Sequence, residues 1–155
     1  MDSTRARIVR LLAERRPYYI EACERLIAEA PPETVRDHTP EAAAQMTDGL
    51  LKLLVEGLEN RGTEVRALYI DTLIPALVAA GVPMRGIVGG AVHLGFIISH
   101  DVARHIPQEE QDTAAEWFAL FYADYVTELA KTVAREQFTH SRTAPKAGPE
   151  GARGA

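Results

Sequence analysis

Residues 81–106 read GVPMRGIVGGAVHLGFIISHDVARHI, and the fold turns on how this stretch is parsed. Gly81 supplies the left-handed residue that stops a helix, and Pro83, whose missing amide costs nothing in a first turn, starts the next. The segment from Met84 to Ile106 then carries a helical pattern. At about 100° per residue, Ile87, Ala91, Leu94, Ile98 and Val102 share one face, and Val88, Val92 and Phe96 widen it. Gly86, Gly90, His93, Ile97, His100 and Arg104 form the opposite stripe. A helix apolar around most of its circumference belongs in the interior, so this one is expected at the centre of an all-α domain. Gly86, Gly89, Gly90 and Gly95 each cost roughly 1 kcal/mol against alanine inside a helix. That cost predicts close approach of another helix, a second subunit or a flat ligand, with Gly90 as the test position.

Working outward, the chain punctuates itself into helices on both sides. Asp2 and Ser3 cap an amphipathic helix with Ile8, Leu11 and Leu12 on its apolar side, and Pro17 breaks or kinks it. Tyr18 to Ala30 continues with Tyr19, Ile20, Cys23, Leu26, Ile27 and Ala30 as a stripe, ended by Pro31-Pro32. Glu33 to Asp37 forms one turn. Thr39-Pro40-Glu41 opens a helix to Arg61 whose core side holds Met46, Leu50, Leu51, Leu54 and Leu58, closed by Asn60-Arg61-Gly62. Glu64 to Ala80 follows, with Leu68, Leu73, Leu77 and Val78 inward and Pro75 bending it. After Ile106-Pro107 a last helix runs from about Gln108 to Phe138. Phe118, Tyr122, Tyr125, Val126, Leu129 and Val133 form its continuous face, while Trp117, Leu120 and Phe121 spread apolar surface to a second side. The expected architecture is a bundle of about five to six helices with a long C-terminal helix, over residues 1–138. Residues 139–155, rich in Gly, Pro, Ala and Arg without periodicity, read as a disordered tail.

Composition narrows the function. A chain of 155 residues with net charge −5 and pI near 5.5 fits one domain and lacks the basic excess of a nucleic-acid binder. The single cysteine, Cys23, cannot form an internal disulfide. With no signal-peptide pattern at the N-terminus and no uncharged run near the roughly 20 residues that span a bilayer, a soluble cytoplasmic protein is expected.

The chemical candidates are sparse. His93, His100 and His105 share one helix, with His93 and His100 two turns apart on one stripe. A haem iron needs an imidazole beside an apolar cavity, and His93, flanked by Gly89, Gly90, Leu94 and Ile97, meets the residue pattern. His93, Gly90 and Ile97 are therefore the cofactor-binding candidates, against the plainer reading of His93 as a structural histidine. No His-Glu-x-x-His or paired Glu-x-x-His spacing signals a metal. Cys23 lies among apolar residues, where a thiol is inert packing. The run Arg85-Gly86-Ile87-Val88-Gly89-Gly90 lacks the preceding strand and following lysine of a phosphate loop, so helix packing explains its glycines better. Asp71 and Glu116 are candidate buried carboxylates. No catalytic constellation emerges.

The order of elements resembles the N-terminal sensor domains of stressosome RsbR-type co-antagonists, non-haem globin-like domains also found in PucR-type regulators. Three stretches carry the likeness: the opening helix through Ile20 and Leu26; Arg36-Asp37-His38-Thr39-Pro40-Glu41; and Ala80-Gly81-Val82-Pro83-Met84 leading to Ala91-Val92-His93-Leu94-Gly95. It implies a globin-like helical bundle, often dimeric, that senses a signal or docks a partner without catalysing a reaction. The expected function is thus a non-enzymatic sensory or interaction domain acting as a homodimer in signalling, through an interface including Gly86, Gly90, Trp117, Leu120 and Phe121, with a separate signalling protein as output. The alternative is a haem- or other flat-ligand-binding sensor using His93.

Overall fold

The computed structural model describes residues 3–30, 40–59 and 64–143, with the backbone alone at residues 40, 64–69, 140 and 143. The chain is all-helical there: α1 (Ser3–Glu14), α2 (Arg16–Glu29), α3 (Pro40–Glu59), α4 (Glu64–Ala79), α5 (Met84–His105) and α6 (Gln108–Thr143), with no strand among the described residues. The expected turn at 33–37, the Thr39 cap, the Asn60-Arg61-Gly62 stop and the Leu68 side chain lie outside the described residues.

The break at Pro17 is confirmed and its form is now defined. Only Arg15 leaves the helical path, at φ −92° and ψ 2°, and Pro17 occupies the first turn of α2 where no amide is required. The Arg15 amide still donates to the Leu11 carbonyl at 2.9 Å, and the Tyr19 amide to the Arg15 carbonyl at 3.2 Å. The backbone therefore bends while losing little of its hydrogen bonding.

Gly81 closes α4 as its position demands. At φ +80° it is left-handed, its amide donates to the Val78 carbonyl at 3.0 Å, and the Val82 amide donates to the Leu77 carbonyl at 3.0 Å. These two bonds satisfy carbonyls that a helix end would otherwise leave orphaned. Pro83 sits one residue earlier than its expected first-turn role. It is the N-cap of α5, and its carbonyl accepts from the Gly86 and Ile87 amides at 2.9 and 3.2 Å.

The core forms where the helices cross. α5 packs along α6 and against α2, α6 also packs against α4, α3 lies on α2 and α4, and α1 rests on α3, α5 and α2. Ile8, Leu12, Tyr19, Cys23, Leu50, Leu54, Leu58, Ile74, Leu94, Ile98, Val102, Phe118, Tyr125, Leu129 and Val133 are all buried in one cluster. Most were marked by periodicity. Ile70 and Ile74 on α4 were not, because that helix is apolar on every side and its pattern selects no face.

Two expectations about helix faces and ends are corrected. Val92 and Phe96 do not widen the buried face of α5: they are 40% and 72% exposed. Gly95 and Asp101 are buried instead, which rotates the inner face away from Phe96. The last helix also continues to Thr143, so 139–143 belong to it and not to a tail; residues 144–155 lie outside the described residues. Among the described helices, α5 alone is long and apolar enough to cross a membrane, at a mean hydropathy of 1.3. Its Ile87, Leu94, Ile98 and Val102 are committed to the core.

Candidate functional site

Two features concentrate the unusual chemistry: a cleft between α2 and the α3–α6 helices, and a buried carboxylate on α5. The cleft encloses about 570 Å³, within the roughly 300–1,000 Å³ typical of small-ligand sites. Its wall is built from Cys23, Leu26 and Ile27 of α2, Met46 and Leu50 of α3, Leu73, Ile74 and Leu77 of α4, Ile87 and Leu94 of α5, and Leu129 of α6. Each helix contributes its inward aliphatic residues. Val82 and Leu77, joined by the bond that terminates α4, both line the space, so the Gly81 turn forms one of its corners.

On α5, glycines alternate with Arg85, Ile87, Ala91, His93 and Leu94 along the cleft. Gly86, Gly89 and Gly90 of α5 line it, and a β-carbon built on Gly89 or Gly90 would meet nothing within 4 Å. The expected packing of a neighbouring helix on Gly90 is thus absent among the described residues, where its backbone faces open space. Close helix approach occurs at Gly95 instead, where a β-carbon would lie 2.5 Å from the Tyr122 ring of α6. The glycines of α5 have two different roles, one admitting Tyr122 and the others clearing the cleft.

The polar groups at the cleft are few. Glu29, Arg85 and His93 line it and are solvent-exposed, whereas Tyr125 and Cys23 are buried. Burial pushes the Cys23 thiol up, which keeps it neutral and leaves it an inert part of the wall. His93 and Gly90, two of the three cofactor candidates, do meet at this cleft, but Ile97 is half-buried elsewhere. His93 and His100 also separate: His100 lines a second, smaller groove of about 400 Å³ between α5 and α6, with Val92, Phe96, Ala103, Ala115, Ala119, Tyr122 and Val126.

The proposed interface residues divide three ways. Gly86 and Gly90 belong to the cleft. Trp117 and Phe121 are half-buried and stacked at 5.3 Å, and they reach across to α3, where a β-carbon on Gly57 would come within 3.1 Å of Phe121 and 3.4 Å of Trp117. Leu120 alone projects into solvent, 64% exposed. The excess apolar surface read on α6 is therefore largely spent inside the chain. Phe118, Phe121, Tyr122 and Tyr125 extend the same aromatic ladder.

The buried carboxylate is Asp101, a residue that spacing did not single out as buried. Arg15, at the α1–α2 break, donates to both its oxygens at 2.9 and 2.7 Å, and the fully buried Tyr19 hydroxyl donates at 2.9 Å. Burial alone would raise the Asp101 carboxyl, but the bonds from Arg15 and Tyr19 outweigh it and hold the group below its ordinary value. Burial and the carboxylate together push the Tyr19 phenol well above its ordinary range. His105 adds a donated bond from Nδ1 to the Asp101 carbonyl oxygen at 2.7 Å. Asp71 and Glu116, the acids proposed as buried, are both exposed. Besides Asp101, the buried acid is Glu56 on α3, 6% exposed with neither carboxylate oxygen hydrogen-bonded among the described residues. No group of three or more His, Cys, Asp or Glu residues among the described residues is arranged to hold a metal ion.

Asp101, Arg15 and Tyr19 saturate one another, so this cluster fastens three helices and presents no reactive group to a substrate. The cleft is the one of the two with space for a molecule. Compared with protein-family models, curated proteins and solved structures, the chain has no match.

Proposed function

We propose that this chain is a non-enzymatic cytoplasmic sensory domain that takes a small apolar molecule into the cleft between α2 and α6 and passes its occupancy, as a homodimer, to a separate signalling protein. The observation that carries the reading is the cleft itself: about 570 Å³ of largely aliphatic wall, with three glycines of α5 in its lining and, among the described residues, its charged side chains at the exposed rim. A well-packed interior leaves few voids larger than a water molecule. An apolar space of this size therefore has value to the protein chiefly when filled. The resemblance to RsbR-type and PucR-type sensor domains points in the same direction.

The cleft also has a mechanical connection. Leu73, Ile74 and Leu77 put α4 on one wall and Ile87 and Leu94 put α5 on another, while the Gly81 turn ties the two directly. A ligand that spreads these walls shifts α5 relative to α6, whose outer faces carry the exposed Val92, Phe96 and Leu120. That outward face is where a second copy or an output partner would read the change.

Native mass spectrometry of the purified protein tests the proposal directly. The expected species is twice the 17.0 kDa chain mass, carrying an organic adduct that leaves on denaturation. A monomer without adduct, showing no thermal shift with any apolar probe, would remove both halves of the reading. A second reading, haem held by His93, is favoured by that imidazole's place at the cleft's edge. Reconstitution with haem should then give a Soret band that His93→Ala abolishes, and a spectrum of free haem alone rejects it.

A further inference from the structure

Resting on the reading of the cleft as a ligand site, we propose that its ligand is an uncharged aliphatic molecule held by apolar contact, and neither an ion nor a flat aromatic. The polar inventory of the lining argues against charge. Glu29, Arg85 and His93 are exposed at the rim, and besides them only Cys23 and Tyr125 among the described lining residues carry a polar hydrogen on their side chains. The thiol of Cys23 is a weak donor. Tyr125 is 2% exposed, its ring stacks on that of Phe121 at 6.0 Å, and it has a further interaction within the chain. An ionised group drawn between these walls would lose its water without gaining a partner of comparable strength.

The rim does not compensate a charged head. Glu29 and Arg85 are of opposite sign, so the mouth favours neither anion nor cation, and Arg85 already has an interaction within the chain. Both side chains are exposed, where water competes and an ion pair is worth little. An ion is thus confined to the mouth without gain, whereas an uncharged molecule can occupy the whole cleft.

The wall selects a saturated skeleton. Leu26, Ile27, Leu50, Leu73, Leu77 and Leu129 supply branched aliphatic surface from α2, α3, α4 and α6, and Met46 adds a flexible thioether that adapts to an irregular outline. Tyr125 is the one phenyl-bearing side chain in the described lining, and its ring is already stacked. The rings of Trp117, Phe118, Phe121 and Tyr122 are spent on one another along α6. A flat aromatic ligand would find no free ring for offset stacking. Haem, flat and carrying two carboxylates, meets neither condition.

Probes built on one fused-ring skeleton separate charge from aromaticity: decahydro-2-naphthol, the corresponding decahydronaphthyl ammonium and carboxylate, and the aromatic 2-naphthol. Each is titrated at neutral pH into the full chain, freed of co-purifying lipid. Binding is followed by the methyl resonance of Met46, which alone of the 3 methionines lines the cleft, and Met46→Leu assigns the signal. Decahydro-2-naphthol should saturate the Met46 shift at least about tenfold more tightly than either ion, the scale of one uncompensated polar burial, and more tightly than 2-naphthol. Either ion within about tenfold of the saturated alcohol overturns the uncharged assignment, and 2-naphthol binding as tightly or more so overturns the aliphatic one. In both cases the cleft stands as a ligand site. If no probe moves the Met46 resonance of the wild-type chain, the cleft reading itself falls, and the ligand class with it.

Discussion

Alanine at Gly95 and alanine at Gly90 should move stability in opposite directions relative to simple helix propensity, although the two positions are five residues apart on one helix. At either site the methyl group restricts the unfolded chain, a gain of about 0.4–1 kcal/mol where the native conformation tolerates it. Gly90 has nothing within 4 Å of the added carbon, so its alanine variant should keep that gain. At Gly95 the carbon arrives 2.5 Å from the Tyr122 ring. The ring has little room to yield: it stacks on Phe118 at 6.2 Å, meets Phe121 edge-on at 5.4 Å, and its hydroxyl is buried with no hydrogen-bond partner among the described residues. Overpacking of this kind costs about 1–3 kcal/mol, which cancels or exceeds the gain. The two variants should therefore differ by about 1–3 kcal/mol, or roughly 2–4 °C in Tm per kcal/mol for a domain of this size. Urea unfolding followed by far-UV circular dichroism measures the difference, and the Tyr122→Ala background identifies its cause, since removing the ring should let Gly95→Ala recover the gain. Equal stabilisation by both alanines, or a penalty at Gly95 that persists without the ring, refutes the argument that Tyr122 is what Gly95 accommodates.

Leu94, 4% exposed between the cleft and the core, should lose about 2–5 kcal/mol on truncation to alanine, and a loss within surface-mutation scatter of about 0.5 kcal/mol would mean that α5 is rotated from the position described. Tyr19→Phe removes one donor to a buried carboxylate and should cost about 1.5–3 kcal/mol; an unchanged urea midpoint would show that Arg15 suffices alone. Asp101 has a lowered folded value, so its contribution is complete above the unfolded carboxyl range near pH 3.9 and disappears as pH falls through the folded value. Asp101→Asn should accordingly flatten the stability profile below about pH 4, and an acid limb as steep as the wild type's assigns that dependence to other carboxylates, such as Asp48, whose bond from Arg16 also lowers it. Glu56→Met should raise Tm, because it removes a buried carboxylate that has no hydrogen-bond partner among the described residues while keeping an unbranched side chain; a fall would reveal a contact that Glu56 supplies.

The order and extent of the helices were legible because punctuation is local. Pro17, Gly81, Pro83 and Pro107 act through their own backbone geometry, and each falls within two residues of an observed boundary. The cleft was legible only as a glycine anomaly on α5. Whether a helical glycine admits a ring or leaves a void depends on the residue opposite, and nothing near Gly90 or Gly95 in sequence encodes Tyr122 or its absence. Phase was ambiguous for a related reason: α5 has apolar residues around most of its circumference, so Val92 and Phe96 satisfied the same period as Leu94 and Ile98. Asp101 and Arg15 looked like ordinary helix-surface charges, and their pairing depends on a tertiary contact across 86 residues. Trp117 and Phe121 misled by size, since Gly57 on a different helix makes room for them.

The tie between Arg15 and Asp101 bears on how the chain comes together and comes apart. α1 and α2 are complete long before α5 exists during synthesis, yet the carboxylate that fixes the angle between them arrives only with α5. The bend at Arg15 is therefore settled late, after a long loop has closed, a step that slows folding relative to a bundle of purely local contacts. In the folded protein the same tie links two remote segments into one cooperative unit. Amide hydrogens of α1 around Ile8–Leu12 should exchange in step with those around Ile98–Val102, and the first described helix should not fray independently of the fifth.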